Sequence, residues 1–153
     1  MMSKVIGYIR VSTTAQAESG LGLADQESKI RDYCKVYDLD LVDLIVDAGA
    51  SAKDLNRAGI QEVIARTSSE DVEGVVGSKL DRLTRSMRDL HQLLDTTFKS
   101  TQLHSVNEKI DTSTASGMLV LSELMSVSQW ELSVISERTS NALQAKKRLN
   151  DGE

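Results

Sequence analysis

The 153-residue chain contains no proline, so nothing in it forbids long unbroken helices. It has one cysteine, Cys34, which excludes an intrachain disulfide. That residue lies in the helical pattern KIRDYCKVY and reads as a small buried hydrophobe, not a nucleophile. Aromatic residues make up only 3%, so aliphatic side chains must build the core. The same shortage leaves little material for the aromatic platforms on which single-strand binders stack bases. No apolar run approaches the ~20 residues of a membrane span, and the N-terminus lacks a signal-peptide core. The expectation is a cytoplasmic protein with no membrane partner. Positive charge is also in deficit. The net charge of −5 argues against a simple DNA-coating module. The basic residues are nonetheless grouped: KLDRLTRSMR (79–88) holds four against one acidic residue, and KKR (146–148) stands near the end.

Hydrophobic residues at 40% suffice for a real core. Strand-like runs fall at 4–11, 40–47, 72–76 and 103–107. Helical patterns alternate with them at 24–37, 57–67, 81–99 and 117–148. This alternation predicts an α/β fold, a mostly parallel sheet flanked by helices in three layers, with a long projecting C-terminal helix. Ligands of such sheets gather at the carboxyl ends of strands.

At one such end stands Gly7-Tyr8-Ile9-Arg10-Val11-Ser12-Thr13. A buried strand has no structural need for a guanidinium and a hydroxyl at its exit, so Arg10 and Ser12 are site candidates by position. The following segment, TTAQAESGLGLADQ (13–26), is polar and aperiodic and reads as a loop. Its Gly20 and Gly22 lack the GK[ST] ending of a phosphate-binding loop.

The second candidate stretch is SKLDRLTRS (78–86), after the third predicted strand. In a continuous helix Arg82, Arg85 and Asp89 share one face. Two guanidiniums at a helix start make an oxyanion site, and Asp81 can accept from an arginine and fix its rotamer. Taken alone, the spacing fits a solvated charged face equally well. Beside Arg10 and Ser12 it becomes more pointed. A serine attacking a phosphodiester builds negative charge on the phosphoryl oxygens, which fixed arginines stabilise. No HExxH, paired-cysteine or GxSxG pattern competes, and no cofactor or metal is called for. His91 and His104, in a helix and a strand, are given no catalytic role, and no general base is assigned.

The last helical pattern, 117–148, would run ~48 Å, beyond the ~30 Å breadth of a small domain. Its first half, MLVLSELMSVSQWELSVI, is apolar around much of its circumference, and its second half ends basic. Subunit contact through Leu121, Leu124, Met125 and Trp130, followed by approach to an anionic partner, is the expectation. A capping helix packed on its own monomer is the alternative.

YIRVST with Gln16 four residues after the serine, LDRLTRS, IDTSTASG (110–117) and WELSVISERT (130–139) occur in an order that resembles the catalytic domain of serine site-specific recombinases. That family takes in resolvases, invertases and large phage integrases. The resemblance runs from about residue 4 to residue 148. It implies a serine that attacks a DNA phosphodiester, leaving a 5′-phosphoserine and a free 3′-hydroxyl. Double-stranded DNA, a homodimer and a synaptic homotetramer are the implied partners. Carried over by motif, Ser12 is the nucleophile, Arg10 and Gln16 flank it, and Asp81, Arg82 and Arg85 form the DRLxR element. Arg57 in DLNRAGI matches the arginine of an RPG-like segment, with alanine in place of proline. Glu131-Leu132 replaces a common Glu-Arg, and Met118 replaces a more usual basic residue.

The division implied is an α/β catalytic domain over 1–116 and an oligomerisation helix with a short tail over 117–153. The C-terminal DNA-binding domain of relatives is expected to be absent, which fits the low net basicity. Two rivals stand beside this. A phosphoacceptor receiver domain would need an acidic cluster after the first strand, where this chain has Arg-Val-Ser. A catalytically silent relative, acting as a DNA-associated assembly or regulatory module, would differ in forming no adduct at Ser12.

Overall fold

Strand β1 (Ser3–Val11) is buried without interruption from Val5 to Val11. Burial on both faces is the mark of a central strand covered by helices on either side. The computed structural model describes residues 2–11, 21–48, 55, 57–69 and 71–151, with residues 21, 128–133 and 151 described by their backbone only. In chain order the further elements are α1 (Leu21–Val36), β2 (Leu39–Ala48), α2 (Ala58–Ser68), β3 (Gly74–Gly77), α3 (Leu80–Leu83) and α4 (Met87–Asp95). A 3-10 turn (Thr97–Lys99), β4 (Gln102–Ser105), β5 (Ile110–Asp111) and α5 (Ala115–Asp151) complete them.

The sheet order is β2-β1-β3-β4-β5. The first four strands are parallel, and β5 runs antiparallel to β4. The expected mostly parallel sheet is present. The period of two along β1 divides its side chains between two cores. Ile6 and Tyr8 join Ile60 and Val63 of α2, Leu83 of α3 and Leu93 of α4 on one face. Val5 and Ile9 pack with Ile30 and Cys34 of α1 on the other. Cys34 is 3% exposed, and burial pushes its thiol up to about 11, so it is the inert hydrophobe expected.

The single helix expected over 81–99 is three pieces. Thr84 is extended (φ −162°, ψ 150°), and α4 restarts behind Ser86, whose hydroxyl accepts from Asp89 N–H at 3.2 Å. Ser86 and Asp89 form an N-terminal capping pair, which the apolar spacing through this region had masked. The expected common helix face is therefore absent: Arg82 lies in α3, Arg85 in the break and Asp89 in α4.

Helix α5 confirms the long C-terminal helix and begins slightly earlier than expected. Leu121 and Met125, one turn apart, seat its root against Leu90 of α4 and Ile110 of β5. Full burial of Leu121 contributes about 1.5–3 kcal/mol. Gly117 permits this docking, because a Cβ there would lie 1.9 Å from Asp111 O. Residues 135–150 are all exposed. No helix among the described residues is long and apolar enough to cross a membrane.

His104 is a buried titratable group in β4, 3% exposed. Its Nδ1 lies 2.8 Å from Tyr33 Oη and its Nε2 lies 3.0 Å from Gln102 Oε1. These partners suit a neutral ring that accepts at Nδ1 and donates at Nε2. Burial lowers its pKa below the ordinary 6.5, with the Asp111 carboxylate opposing the shift. The unfolded chain therefore binds this proton first as pH falls. Stability should decline from about pH 6.5 downward until the folded ring itself protonates. Denaturant titrations across that range should show a slope that His104→Gln reduces; an equal slope in both proteins would contradict the assignment.

Candidate active site

The site forms where β1 outruns its neighbour. Pairing with β3 ends at Tyr8↔Gly77, while pairing with β2 continues to Val11↔Ala48. Beyond Tyr8 the backbone on the β3 side needs another partner. Gln26 of α1 supplies it: Arg10 N–H donates to Gln26 Oε1 at 3.3 Å, and Gln26 Nε2 donates to Arg10 O at 3.0 Å. One side-chain amide thus stands in for a strand, and it is 3% exposed.

Held this way, Arg10 is itself only 1% exposed. It lies on the β1 face shared with Ile6 and Tyr8. Its Nη2 donates to Asp81 O at 3.4 Å. Arg82 Nη1 reaches back to Arg10 O at 3.5 Å, a long contact. Burial lowers the Arg10 pKa, and the guanidiniums of Arg82, Arg85 and Arg57 push in the same direction. Arginine nevertheless keeps its proton in proteins, so the result is concentrated positive charge in a partly desolvated setting.

Arg57 precedes α2 and is 6% exposed. Its Nη1 donates to Tyr8 Oη at 2.8 Å and approaches Arg82 O at 3.5 Å, and its Nη2 donates to Leu83 O. The guanidinium carbon lies 5.8 Å from the centre of the Tyr8 ring. Tyr8 in turn donates its hydroxyl to Asp47 Oδ2 at 2.6 Å. Burial, reinforced by that bond, raises the Tyr8 pKa, so the phenol stays protonated.

Asp47, at the end of β2, also accepts from Gly59 N–H at 2.8 Å and Ile60 N–H at 3.1 Å. It caps α2 from another element, where Arg57 offers no side-chain cap. Gly59 is required for this approach, since a Cβ would lie 2.6 Å from the Asp47 carboxylate. A buried chain of contacts therefore runs from the α2 N-terminus through Asp47, Tyr8 and Arg57 to the backbone of the arginine turn.

Of the residues expected at the site, the structure brings together Arg10, Arg57, Asp81, Arg82 and Arg85. Ser12 and Gln16 lie outside the described residues. Asp81 differs from expectation: it meets Arg10 through its backbone carbonyl, and its side chain is exposed. Arg57 is a buried brace with its donors turned onto Tyr8 and two carbonyls. Arg85 is exposed, and the buried Nε of Arg82 makes no hydrogen bond among the described residues. His91 is exposed on α4. Gln26, Asp47 and Tyr8 were missed as site residues. For Tyr8 the available signal was a phenol on a buried strand; Asp47 is one of three aspartates on β2, and nothing local sets it apart.

Met118 is 42% exposed near the start of α5, and the Trp130 and Leu132 side chains lie outside what is described. Among the described residues no cluster of His, Cys, Asp and Glu could hold a metal ion. The arrangement offers several guanidiniums, differing in exposure, around one strand end. That is an environment for a tetrahedral oxyanion.

Over residues 5–151 the chain matches the family described as Resolvase, N terminal domain. It is 33% identical over 143 residues to the DNA-invertase of Enterobacteria phage P7, covering 92% of this chain and 69% of that protein. Among solved structures it resembles the N-terminal catalytic domain of TP901-1 integrase, with 37% identity and a TM-score of 0.74, over 86% of this chain and 98% of that one. A resolvase family site-specific recombinase from Streptococcus pneumoniae superposes with a TM-score of 0.70 at 28% identity, over 95% and 99% of the two chains. With the sheet order and the arginine-lined end of β1, these likenesses have one meaning: the chain belongs to the resolvase N-terminal domain family of serine recombinases, enzymes of site-specific DNA recombination.

Proposed function

We propose that Ser12 is the nucleophile of this recombinase and that Arg10, Arg82 and Arg85 stabilise the charge its attack creates. Ser12 Oγ forms a bond to a phosphorus of double-stranded DNA, and the bond from that phosphorus to the 3′-oxygen breaks. The serine proton is lost, the leaving oxygen gains one, and a 5′-phosphoserine and a 3′-hydroxyl result. Reversal by a 3′-hydroxyl reseals the strand, so the phosphoester is conserved and no high-energy cofactor is consumed. The observation that carries this reading is Arg10, 1% exposed at the carboxyl end of β1, two residues before Ser12, with three further guanidiniums bearing on its charge. Gln16 is assigned to the same site from its spacing to Ser12.

The test is a nicked recombination site labelled on the 3′ side of the cleavage point, in the fragment that carries the 5′-phosphate. Covalent label on the protein, with a 3′ end that a polymerase extends, is the expected product. Label released free, or a 3′-linked adduct, would favour a silent relative or a different chemistry.

We further assign residues 1–116 to catalysis and 117–153 to assembly, as a homodimer that pairs into a tetramer around DNA. Leu121 and Met125 belong to the monomer's own core, so the contact surface must be the rest of the α5 root. Leu119 is 60% exposed there, Val127 53% and Leu124 39%. Leu124→Glu should leave the fold intact and lower the sedimentation coefficient of a wild-type oligomer, because a charge is costly in a desolvated contact. A wild-type chain that stays monomeric at high concentration would remove the surface from the account.

A further inference from the structure

Helix α3 carries Asp81 and Arg82 in a single turn of four residues. One turn has no stability of its own, since nucleation costs more than the first hydrogen bonds return. Lys79, which precedes it, is extended and gives no side-chain cap. The turn must be held from outside at both ends. Arg57 holds the carboxyl end, through the carbonyls of Arg82 and Leu83.

The amino end is held from the β4–β5 connection. Val106 N–H donates to Gly77 O at 3.0 Å and Asn107 N–H to Ser78 O at 2.9 Å, continuing the pairing of β3 and β4 beyond the strands. Glu108 comes next and is half-buried. Its Oε1 accepts from Leu80 N–H, the first amide of α3, at 3.0 Å. Its Oε2 accepts from the Ser105 hydroxyl at 2.6 Å, and Ser105 is 1% exposed. A carboxylate at the amino end and a guanidinium at the carboxyl end follow the polarity of the turn. A surface charge kept only for solubility would not have both oxygens committed, one of them to an amide 28 residues away.

We propose that Glu108 is a positioning residue for DNA cleavage: it fixes the amino end of α3 and thereby keeps Arg82 against Arg10. The inference rests on the proposed role of the arginines at the phosphate. It differs from a simple turn-stabilising role in what it demands. Loss of Glu108 should slow the chemical step on bound DNA, because displacement of a charge-stabilising group by ~1 Å can cost ~10²-fold.

Two measurements on Glu108→Ala, Glu108→Gln and Ser105→Ala test it. The first is amide exchange at Leu80 without DNA. The second is single-turnover adduct formation at saturating nicked DNA. Glu108→Ala should speed Leu80 exchange while Val76 of β3 stays protected, and should slow adduct formation by about tenfold or more with DNA affinity unchanged. Glu108→Gln keeps a carbonyl for the Leu80 amide and should recover most of the rate. Ser105→Ala releases the second oxygen and should slow the step in the same direction, which keeps the proposal testable if Glu108→Ala does not fold. Wild-type Leu80 protection in Glu108→Ala, or wild-type adduct rates in folded Glu108→Ala and Ser105→Ala, would overturn it. A wild-type chain that forms no adduct at Ser12 would instead refute the proposed nucleophile, while the exchange comparison still decides whether Glu108 holds the turn.

Discussion

Ser12→Ala should reduce covalent capture of nicked DNA to background. The substitution removes the one oxygen that forms the new phosphoester and takes no apolar volume from either core. Its thermal midpoint should match the wild type, and its DNA affinity should be retained, because phosphate affinity comes mainly from cationic contacts. The effect is all-or-none, which distinguishes a nucleophile from a group that only tunes the reaction. Residual capture near wild-type levels would mean that another side chain attacks.

Arg82→Ala is expected to slow cleavage by ~10²–10³-fold, the loss seen when one oxyanion donor is removed. Arg82 reaches Arg10 O with one nitrogen, and its own carbonyl is approached by Arg57. It is thus held against Arg10 before DNA arrives and does not have to be ordered during the reaction. Lysine at this position should rescue poorly, since a single ammonium cannot reproduce a planar donor fork. Comparing single-turnover rates with binding isotherms separates the possibilities: equal loss in both would make Arg82 an ordinary phosphate contact. Burial of Arg10, and then the crowding of further guanidiniums around it, both disfavour its charge and lower its pKa. Such an arrangement is intelligible where an anion is its normal occupant.

The features legible in the sequence were those encoded locally. β1 announced itself by an unbroken apolar run, and Arg10 by standing at its end. The stretch around Arg82 combined charge with position after a strand, and α5 showed its length through the absence of breakers. What escaped was set through space. Gln26 acts on a backbone 16 residues away, and Asp47 on a hydroxyl 39 residues away. No periodicity marks such partners. Strand β5 has two residues, too few for alternation to register. The break at Thr84 is a different kind of miss, since the Ser86–Asp89 capping pair was in plain view. Apolar residues at 80, 83, 87, 90 and 94 continued a helical spacing across it, because both short helices face the same core. Asp81 was expected to act through its carboxylate, but a tight turn presents its carbonyl to Arg10 instead.

The most direct measurement is peptide mapping by mass spectrometry of the covalent complex trapped on nicked DNA. The account predicts a single nucleotide-bearing peptide spanning residues 11–29, with the modification on Ser12. It also predicts that the adduct disappears in Ser12→Ala without moving elsewhere. An adduct on any other residue, in the wild type or in that variant, would contradict the account.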